Sequence, residues 1–473
     1  MSSQPAPNKY DLIVIGSGPA GEKGAAQAAY FGKRVAIIEK AKQVGGAIAQ
    51  TAVPGKGLRE TSLFINGFKQ RELTSLQLHK QELHVGEILH RSNAMRQSLI
   101  GWVEQNIDRH NIDLYTGTAT FQDAHTICIT QEGASDLVLT GEVILIATGS
   151  QPVTPRSFPF DAGNVFNSST IFSMGVIPKS ILFVGTGTIG CEYACIFRNL
   201  GVEVTMVGAG DTLFPFADGE ISARLKQSME AIGIRFCLSD LVQNMEADGQ
   251  SVTSVLQSGE TVTTDAAFIA VGRYSNTKTL QLEKAGVTTK ENGEITVNER
   301  FRTNVPNIYA AGDVIGFPRL ASTSMEQARL AMIDAFKLEY KKDIAHLLPI
   351  GIWTIPELAM VGETEESLRT KDQPYVVGRA SYKDNPRGML IGDEGGLLKL
   401  IFSYPETKLL GVHITGEQAC ELLSPGMIAI TMGADFSTFI EAGFNFPSLS
   451  DMYKYATYDA MNNFKKRAAQ SDS

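Results

Sequence analysis

The sequence predicts an α/β fold in which two βαβ units precede a C-terminal α+β domain. Segments 10–40 and 180–210 share one pattern: a buried strand, a glycine-rich turn, a helix of small residues and a second buried strand. From about residue 346 the pattern changes to β-type runs followed by helical segments. Because parallel strands need a crossover helix, each repeat predicts part of a parallel sheet.

Size and composition are those of a globular protein. The 473 residues allow roughly three domains of ~150 residues. The net charge of −9 argues against binding to nucleic acid or to anionic lipid. Five scattered cysteines without a C-x-x-C pair fit a reducing compartment and argue against a zinc site. No apolar run approaches the ~18 residues of a membrane span. We therefore expect a cytoplasmic protein with no metal, nucleic-acid or membrane partner.

The first repeat contains a turn typical of dinucleotide binding. Gly16, Gly18 and Gly21 stand in G-x-G-x-x-G register, and Pro19 follows the second of them. Such glycines allow a tight turn, close approach of a pyrophosphate and close packing of helix on strand, while the helix N-terminus faces the phosphates. Glu39 ends the second strand, where a carboxylate binds ribose hydroxyls. We interpret this repeat as a dinucleotide site.

The second repeat has the same turn, 169 positions later, but a different strand end. The residues of its turn and first helical positions are Gly185, Gly187, Thr188, Ile189 and Gly190. Gly208 stands where the acid would be. An NAD-selective site needs that acid and an NADP-selective site needs an arginine, with Arg198 and Arg273 as candidates here. We expect a nicotinamide site of weak selectivity, which Gly208→Glu would bias toward NAD(H).

Further motifs occur in a specific order. ATGS (147–150) lies between the repeats, and GRYSN (272–276) and YAAGDVIG (309–316) follow them. The ordered set resembles the two-dinucleotide flavoproteins of the glutathione reductase and lipoamide dehydrogenase group over almost the whole chain. The resemblance implies FAD in the first repeat, NAD or NADP in the second, and a homodimer. It predicts two Rossmann-like dinucleotide-binding domains and a C-terminal α+β dimerisation domain, with the boundaries 1–150 and 273–345 for FAD, 151–272 for NAD(P) and 346–473 for dimerisation.

The resemblance also implies particular site residues. Asp313 would hold the ribitol or phosphate region of FAD, and Ala321 would begin a helix whose N-terminus faces the flavin pyrimidine. Lys56 corresponds to a lysine near flavin N5 and Glu192 to its salt-bridge partner, so these two are the implied catalytic residues. The further cofactor-binding residues are Gly45, Gly46, Thr148, Gly149, Gly272, Arg273 and Gly312.

The redox cysteines of the disulfide-reducing members are missing. Those members carry G-G-x-C-x-x-x-x-C-x-P-x-K beside the flavin, whereas the run 45–56 is one residue shorter, with Ile48 and Ala52 at the cysteine positions. A thiolate is the nucleophile of disulfide exchange, so this run excludes disulfide reduction. Near the C-terminus, Phe446 and Asp451 stand where those members have a catalytic histidine and a glutamate.

Within the group, GDVIGFPRLAS (312–322) and FNFPSLSDMYKYA (444–456) resemble the soluble pyridine nucleotide transhydrogenases. The resemblance implies a Si-specific NAD(P)+ transhydrogenase that passes hydride from NADPH through FAD to NAD+ in ping-pong turnover. Two alternatives stay open: an NAD(P)H-dependent enzyme whose acceptor is a quinone, a metal ion or dioxygen, and a non-catalytic flavin-binding regulatory protein. We interpret Cys191 and Cys195, four apart on one helix, as buried small residues rather than a redox pair.

Overall fold

The computed structural model describes residues 8–70, 85–339 and 347–471. These residues form two compact units: the first comprises 8–61, 85–153 and 272–339, and the second comprises 62–70, 154–271 and 347–471. The predicted boundaries of the FAD, NAD(P) and dimerisation domains stay a prediction. No helix in the described ranges has the length and apolar character of a bilayer span.

The strands and helices follow each other in an order typical of α/β chains. The strands are β1 (Lys9–Ile15), β2 (Val35–Glu39), β3 (Asp113–Thr116), β4 (Thr118–Phe121), β5 (Thr126–Thr130), β6 (Leu137–Ile146), β7 (Ser150–Pro152), β8 (Val165–Phe166), β9 (Ser180–Val184), β10 (Glu203–Gly208), β11 (Ile234–Leu238), β12 (Val242–Ala247), β13 (Val252–Leu256), β14 (Thr261–Thr264), β15 (Ala266–Ile269), β16 (Arg273–Ser275), β17 (Ile308–Ala310), β18 (Ile350–Ile352), β19 (Glu357–Gly362), β20 (Tyr375–Ser381), β21 (Leu397–Ser403) and β22 (Leu409–Gly416). The helices are α1 (Pro19–Tyr30), α2 (Val53–Gln70), α3 (Val85–Arg109), α4 (Thr188–Asn199), α5 (Gly219–Ala231), α6 (Ala321–Phe336), α7 (Glu365–Thr370), α8 (Pro386–Ile391), α9 (Ala419–Thr431), α10 (Phe436–Glu441) and α11 (Met452–Ser471).

The first unit is built on a seven-stranded sheet. Its order is β3-β2-β1-β6-β5-β4, and β17 pairs with β6 in parallel. β1 lies between β2 and β6 and is parallel to both, so β1, α1 and β2 form the predicted βαβ repeat. Apolar residues of β1 alternate between two cores, one on each face of the sheet, as expected of a parallel sheet covered on both sides.

The described residues of the second unit form three sheets. The strands β11-β10-β9-β15-β8 form a parallel sheet around the second repeat, and β12-β13-β14 form a small antiparallel sheet. The C-terminal part is an antiparallel sheet of order β18-β19-β22-β21-β20, against which α9 and α11 pack. The predicted fold class is therefore confirmed: two βαβ-based sheets, the first of them mixed because β4 and β5 join it antiparallel, and a C-terminal α+β part.

Candidate functional site

The first glycine of each repeat is required by the backbone. Gly16 has φ +103° and Gly185 has φ +107°, in the left-handed region that other residues rarely adopt. A Cβ added to Gly16 would overlap the carbonyl oxygen of Ala147, and one added to Gly185 would overlap that of Ala270. In each repeat the turn therefore packs directly against the residue that follows the neighbouring strand, β6 in the first repeat and β15 in the second.

The second glycine of each repeat faces open space instead. Gly18 precedes α1 and Gly187 precedes α4, and neither helix start has a side-chain cap among the described residues. A Cβ added to either glycine would meet no described atom within 4 Å. Each helix therefore presents its first backbone N–H groups, with their partial positive charge, beside open space at the glycine. This geometry fits the pyrophosphate of a dinucleotide.

The third glycines hold the helices close to the turns. A Cβ on Gly21 or on Gly190 would overlap the carbonyl oxygen of the first glycine of its own repeat. Pro19 occupies the first turn of α1, where a missing N–H costs nothing. Thr188 and Ile189 are the first two residues of α4. The predicted cofactor-binding role of these residues stays a prediction, which this packing supports.

Glu39 is fixed at the end of β2 by the protein itself. Its Oε2 accepts hydrogen bonds from the N–H of Ser17 at 2.9 Å and from the hydroxyl of Ser17 at 2.6 Å. Its Oε1 accepts one from the N–H of Ala41 at 2.9 Å. The Ser17 hydroxyl also accepts from the N–H of Gly45 at 3.1 Å. Ser17 was not predicted as a site residue, although its place inside the glycine turn was visible in the sequence.

The segment after Glu39 packs against the first glycine turn. Gly46 has φ +55°, and a Cβ on it would lie 3.0 Å from Cα of Gly18. A π-helical turn, Ile48–Ala52, follows and is closed by a hydrogen bond from the Val53 N–H to the Ile48 carbonyl. The two positions that correspond to the missing cysteines are the ends of this turn. Such turns are rare and occur frequently at functional sites.

Lys56 lies in the first turn of α2 and is partly buried. It has electrostatic or hydrogen-bonding partners. Its predicted role near flavin N5 stays a prediction.

Three separate motifs meet at Asp313. The Ser150 hydroxyl donates to Oδ2 of Asp313 at 2.6 Å, and Nε of Arg273 donates to the Ser150 hydroxyl at 2.8 Å. Nη2 of Arg273 donates to the Ser150 carbonyl at 2.7 Å. Nε of Arg273 lies 3.9 Å from Oδ2 of Asp313. The predicted residues Arg273 and Asp313 are thus brought together, and Ser150, which sequence reasoning missed, connects them.

The ATGS and GRYSN segments are held together by reciprocal hydrogen bonds. The Thr148 hydroxyl donates to the Asn276 carbonyl at 2.8 Å, and Nδ2 of Asn276 donates to the Thr148 carbonyl at 2.9 Å. The Asn276 N–H donates to the Gly149 carbonyl at 3.0 Å, and the Gly272 carbonyl accepts from the Val153 N–H at 3.0 Å. These contacts align both motifs with the carboxyl ends of the central strands, where ligands bind in open α/β sheets.

Gly312 connects the GD motif to two helices. Its N–H donates to Oε1 of Gln327 at 2.8 Å. A Cβ on Gly312 would lie 3.2 Å from Cβ of Ala20 on α1 and 3.2 Å from the Ser324 hydroxyl on α6. Ala321 is the first residue of α6, as predicted for a helix that begins beside the GD motif.

In the second repeat, Glu192 lies near the start of α4. Its Oε1 accepts a hydrogen bond from the Trp353 N–H at 2.9 Å. Cys191 and Cys195 on the same helix are fully buried free thiols, and burial raises the pKa of the Cys191 thiol well above its usual value. The interpretation of these cysteines as buried small residues is confirmed.

Arg198, a candidate for the 2′-phosphate, is held by backbone carbonyls at the end of α4 opposite the glycine turn. Its Nε donates to the Ile232 carbonyl at 2.5 Å and its Nη1 to the Val202 carbonyl at 3.2 Å. It lies in the last turn of α4, roughly 15 Å from the N-terminus of that helix at 1.5 Å per residue. Gly208 ends β10, as expected.

Comparisons with known proteins agree with this arrangement. Residues 10–328 match the pyridine nucleotide-disulphide oxidoreductase family, and residues 348–457 match the dimerisation domain of that family. The soluble pyridine nucleotide transhydrogenase of Mycobacterium tuberculosis is 38% identical over 460 residues, covering 97% of this chain and 98% of that protein. The protein of the same name from Hahella chejuensis is 35% identical over 458 residues, covering 96% of this chain and 98% of that protein.

A solved structure shares the fold over nearly the full length. It is the Cu(II) complex of the HOCl-induced flavoprotein disulfide reductase RclA from Escherichia coli, which is 26% identical with a TM-score of 0.85 and covers 95% of this chain and 99% of that chain. From its sequence, its two glycine-turn repeats and these relatives, the chain belongs to the pyridine nucleotide-disulphide oxidoreductase family.

Proposed function

We propose that the protein is a homodimeric, FAD-dependent oxidoreductase that transfers hydride from NADPH to NAD+ through the flavin, as a soluble transhydrogenase. The observation that carries this proposal is the presence of two open glycine turns in one chain whose run 45–56 contains no thiol. Electrons that reach the flavin therefore have no protein disulfide to enter at this run. The curated relatives with which the chain shares 35–38% identity are named soluble pyridine nucleotide transhydrogenases.

The first repeat supplies the FAD site. The N-terminus of α1 at Gly18 faces the pyrophosphate, and the carboxylate of Glu39, held by Ser17, accepts hydrogen bonds from the ribose. Asp313, held by Ser150, binds the ribitol or phosphate region. FAD, when bound, supplies the two-electron chemistry, and the protein supplies position and electrostatics. Lys56 contributes positive charge near the flavin N5 in this proposal.

The second repeat supplies the nicotinamide site. The N-terminus of α4 at Gly187 faces the pyrophosphate of NADPH or NAD+. One such site per chain binds the two nucleotides in turn, so turnover is ping-pong. The C-terminal domain forms the homodimer, as its family match indicates. We place the protein in the cytoplasm, because its relatives are named soluble enzymes and its five cysteines are free thiols, as in a reducing compartment.

A half-reaction experiment tests the proposal. Purified holoprotein is reduced anaerobically with NADPH, and the loss of flavin absorbance is followed. NAD+ is then added, and the absorbance should return. Loss without return under NAD+, but with return under a quinone, Cu(II) or dioxygen, would replace the transhydrogenase with an NADPH-dependent reductase of that acceptor. No loss with either NADPH or NADH would favour a flavin-binding regulatory protein.

A further inference from the structure

The two repeats can be compared position by position, because their strands pair in the same register. Ile15 pairs with Ile38 where β1 meets β2, and Val184 pairs with Val207 where β9 meets β10. Each member of the second pair lies 169 positions after its counterpart, the same offset that relates the glycine turns. A residue in one repeat therefore has a defined structural counterpart in the other.

This offset makes Thr186 the counterpart of Ser17 and Gly208 the counterpart of Glu39. In the first repeat, the N–H and the hydroxyl of Ser17 both donate hydrogen bonds to the carboxylate of Glu39. In the second repeat, a Cβ added to the buried Gly208 would overlap Oγ1 of Thr186 and would lie 2.6 Å from its Cγ2 and 3.1 Å from its Cβ. The side chain of Thr186 thus occupies the volume that a side chain at position 208 would need.

The run that follows Gly208 supplies no positive charge that could bind a 2′-phosphate. Residues 208–212, GAGDT, include no basic residue. Asp240 donates its N–H to the Gly208 carbonyl at 3.0 Å, but its Oδ1 accepts from the N–H groups of Leu241 at 2.8 Å and Ser258 at 3.2 Å. That oxygen is therefore occupied by backbone donors of its own turn and of the segment between β13 and β14. The strand end itself therefore carries neither an acid for a free ribose nor an arginine for a 2′-phosphate, and the acid Asp211 stands three residues beyond it, exposed.

We propose that Thr186 and Gly208 form a specificity-determining pair, which excludes a carboxylate from the adenosine-ribose end and lets one site accept both NADPH and NAD+. A carboxylate there would bind the 2′-hydroxyl of NAD(H) and repel the 2′-phosphate of NADP(H). The inference rests on the proposed function, because a ping-pong transhydrogenase must admit both nucleotides to the same site. It also explains why Gly208→Glu alone is a poor test: the new side chain collides with Thr186.

The test transplants the pair of the first repeat into the second. In Thr186→Ser/Gly208→Glu, serine lacks the Cγ2 that would lie 2.6 Å from the new Cβ, and it can turn its hydroxyl toward the carboxylate, as Ser17 does for Glu39. Dissociation constants of NAD+ and NADP+ are measured calorimetrically on the oxidised holoprotein, so no turnover takes part. The dissociation constant of NADP+ divided by that of NAD+ should rise at least about tenfold over wild type, because the new carboxylate repels the 2′-phosphate of NADP+. Thr186→Ser alone should leave the ratio within about twofold of wild type, since no charge changes.

Gly208→Glu alone should weaken binding of both nucleotides, because its Cβ displaces Thr186 and with it the glycine turn. An unchanged ratio in the double variant would overturn the inference. So would a single Gly208→Glu variant with wild-type NAD+ affinity and a shifted ratio, since Thr186 would then exclude nothing. If the double variant does not retain FAD, Thr186→Ser/Gly208→Asp places the same charge with one methylene fewer.

Failure of the proposed function gives a different result. A wild-type protein that binds both nucleotides but whose reduced flavin is not reoxidised by NAD+ would contradict the transhydrogenase, while the binding ratio of the variants would still decide the role of the pair. A wild-type protein that binds neither nucleotide would overturn both proposals.

Discussion

Lys399 and Asp218 form an ion pair that is hidden from solvent. Nζ of Lys399 lies 2.8 Å from Oδ1 and 2.9 Å from Oδ2 of Asp218, and the two side chains are 1% and 0% exposed. Asp218 also caps α5 by accepting from the N–H groups of Glu220 and Ile221. Nζ of Lys399 donates further to Oε1 of Glu365 at 2.5 Å. The pair thus ties the helix that follows β10 to β21 within the second unit.

Replacing Lys399 should be far more costly than replacing an exposed lysine. Lys399→Met leaves the carboxylate of Asp218 buried without its partner, which costs about 3–5 kcal/mol in free energy of unfolding. The matched control is Lys371→Ala, whose pair with Glu363 at 2.5 Å involves a lysine that is 54% exposed and should cost no more than about 1 kcal/mol. Urea unfolding of the holoprotein measures both. Equal losses in the two variants would contradict the importance of burial.

His413 should make stability depend on pH in the weakly acidic range. Burial lowers the pKa of His413 although the charge of Asp218 opposes this, and Nε2 lies 2.7 Å from the Glu363 carbonyl oxygen. Because the unfolded chain binds a proton at this residue below about pH 6.5 and the folded chain resists it, stability falls as pH drops through that value.

The variant His413→Gln keeps a donor for the Glu363 carbonyl and removes the titration. The advantage of wild type over the variant should therefore shrink as the pH is lowered from 7.5 to about 5, measured by urea unfolding at each pH. A constant difference across this range would show that His413 does not titrate differently in the two states.

Alanine at the first glycine of the second repeat's turn should affect stability, whereas alanine at the second should affect nucleotide binding. Gly185→Ala places a Cβ onto the Ala270 carbonyl at a positive φ, so we expect a loss of more than about 1 kcal/mol in stability. The Cβ that Gly187→Ala adds would meet no described atom within 4 Å, so this variant should fold normally. It should nevertheless weaken NAD+ and NADP+ binding at least about tenfold, because the methyl group occupies the approach to the pyrophosphate. Calorimetric titration with unchanged nucleotide affinity in Gly187→Ala would contradict the assigned position of the pyrophosphate.

Glu39 should control FAD affinity. Glu39→Gln removes the charge that accepts ribose hydrogen bonds, and hydrogen bonds to charged groups contribute about 1.5–3 kcal/mol, so affinity should fall by about tenfold to a hundredfold. Ser17→Ala should cause a smaller loss, because it removes the 2.6 Å bond that orients the carboxylate but keeps the charge. Quenching of FAD fluorescence during titration with apoprotein measures both. The exposed Glu203, replaced by Gln, is the control and should have no effect.

The sequence predicted the repeats well because their signals are local. Strand hydrophobicity, glycine spacing and the acid at Glu39 all lie within about thirty residues, and the fold class follows from them. The selection of nucleotide could not be read in the same way. Arg198 was a reasonable candidate by charge, yet its position at the far end of α4 removes it from the turn. That Thr186 fills the space at Gly208 depends on how the turn after β9 packs on the end of β10.

Contacts between residues far apart in the chain could not be predicted from the sequence either. Lys399 stands within the run LLKLIFS, where a lysine would ordinarily indicate an exposed position. Its partner Asp218 lies 181 positions earlier in the chain. Likewise, the link from Arg273 through Ser150 to Asp313 joins three motifs that are far apart in sequence, and only their meeting at one sheet edge reveals it.

The difference between Glu39 and Gly208 bears on how long each nucleotide stays bound. The carboxylate of Glu39 is held by three hydrogen bonds from the protein, so it meets a ribose without having to be ordered first. Gly208 has no side chain that could accept a hydrogen bond from a ribose. Under the proposed function we expect the two sites to differ in residence time: the flavin stays through many cycles, whereas each nicotinamide nucleotide leaves in time for the next one to enter.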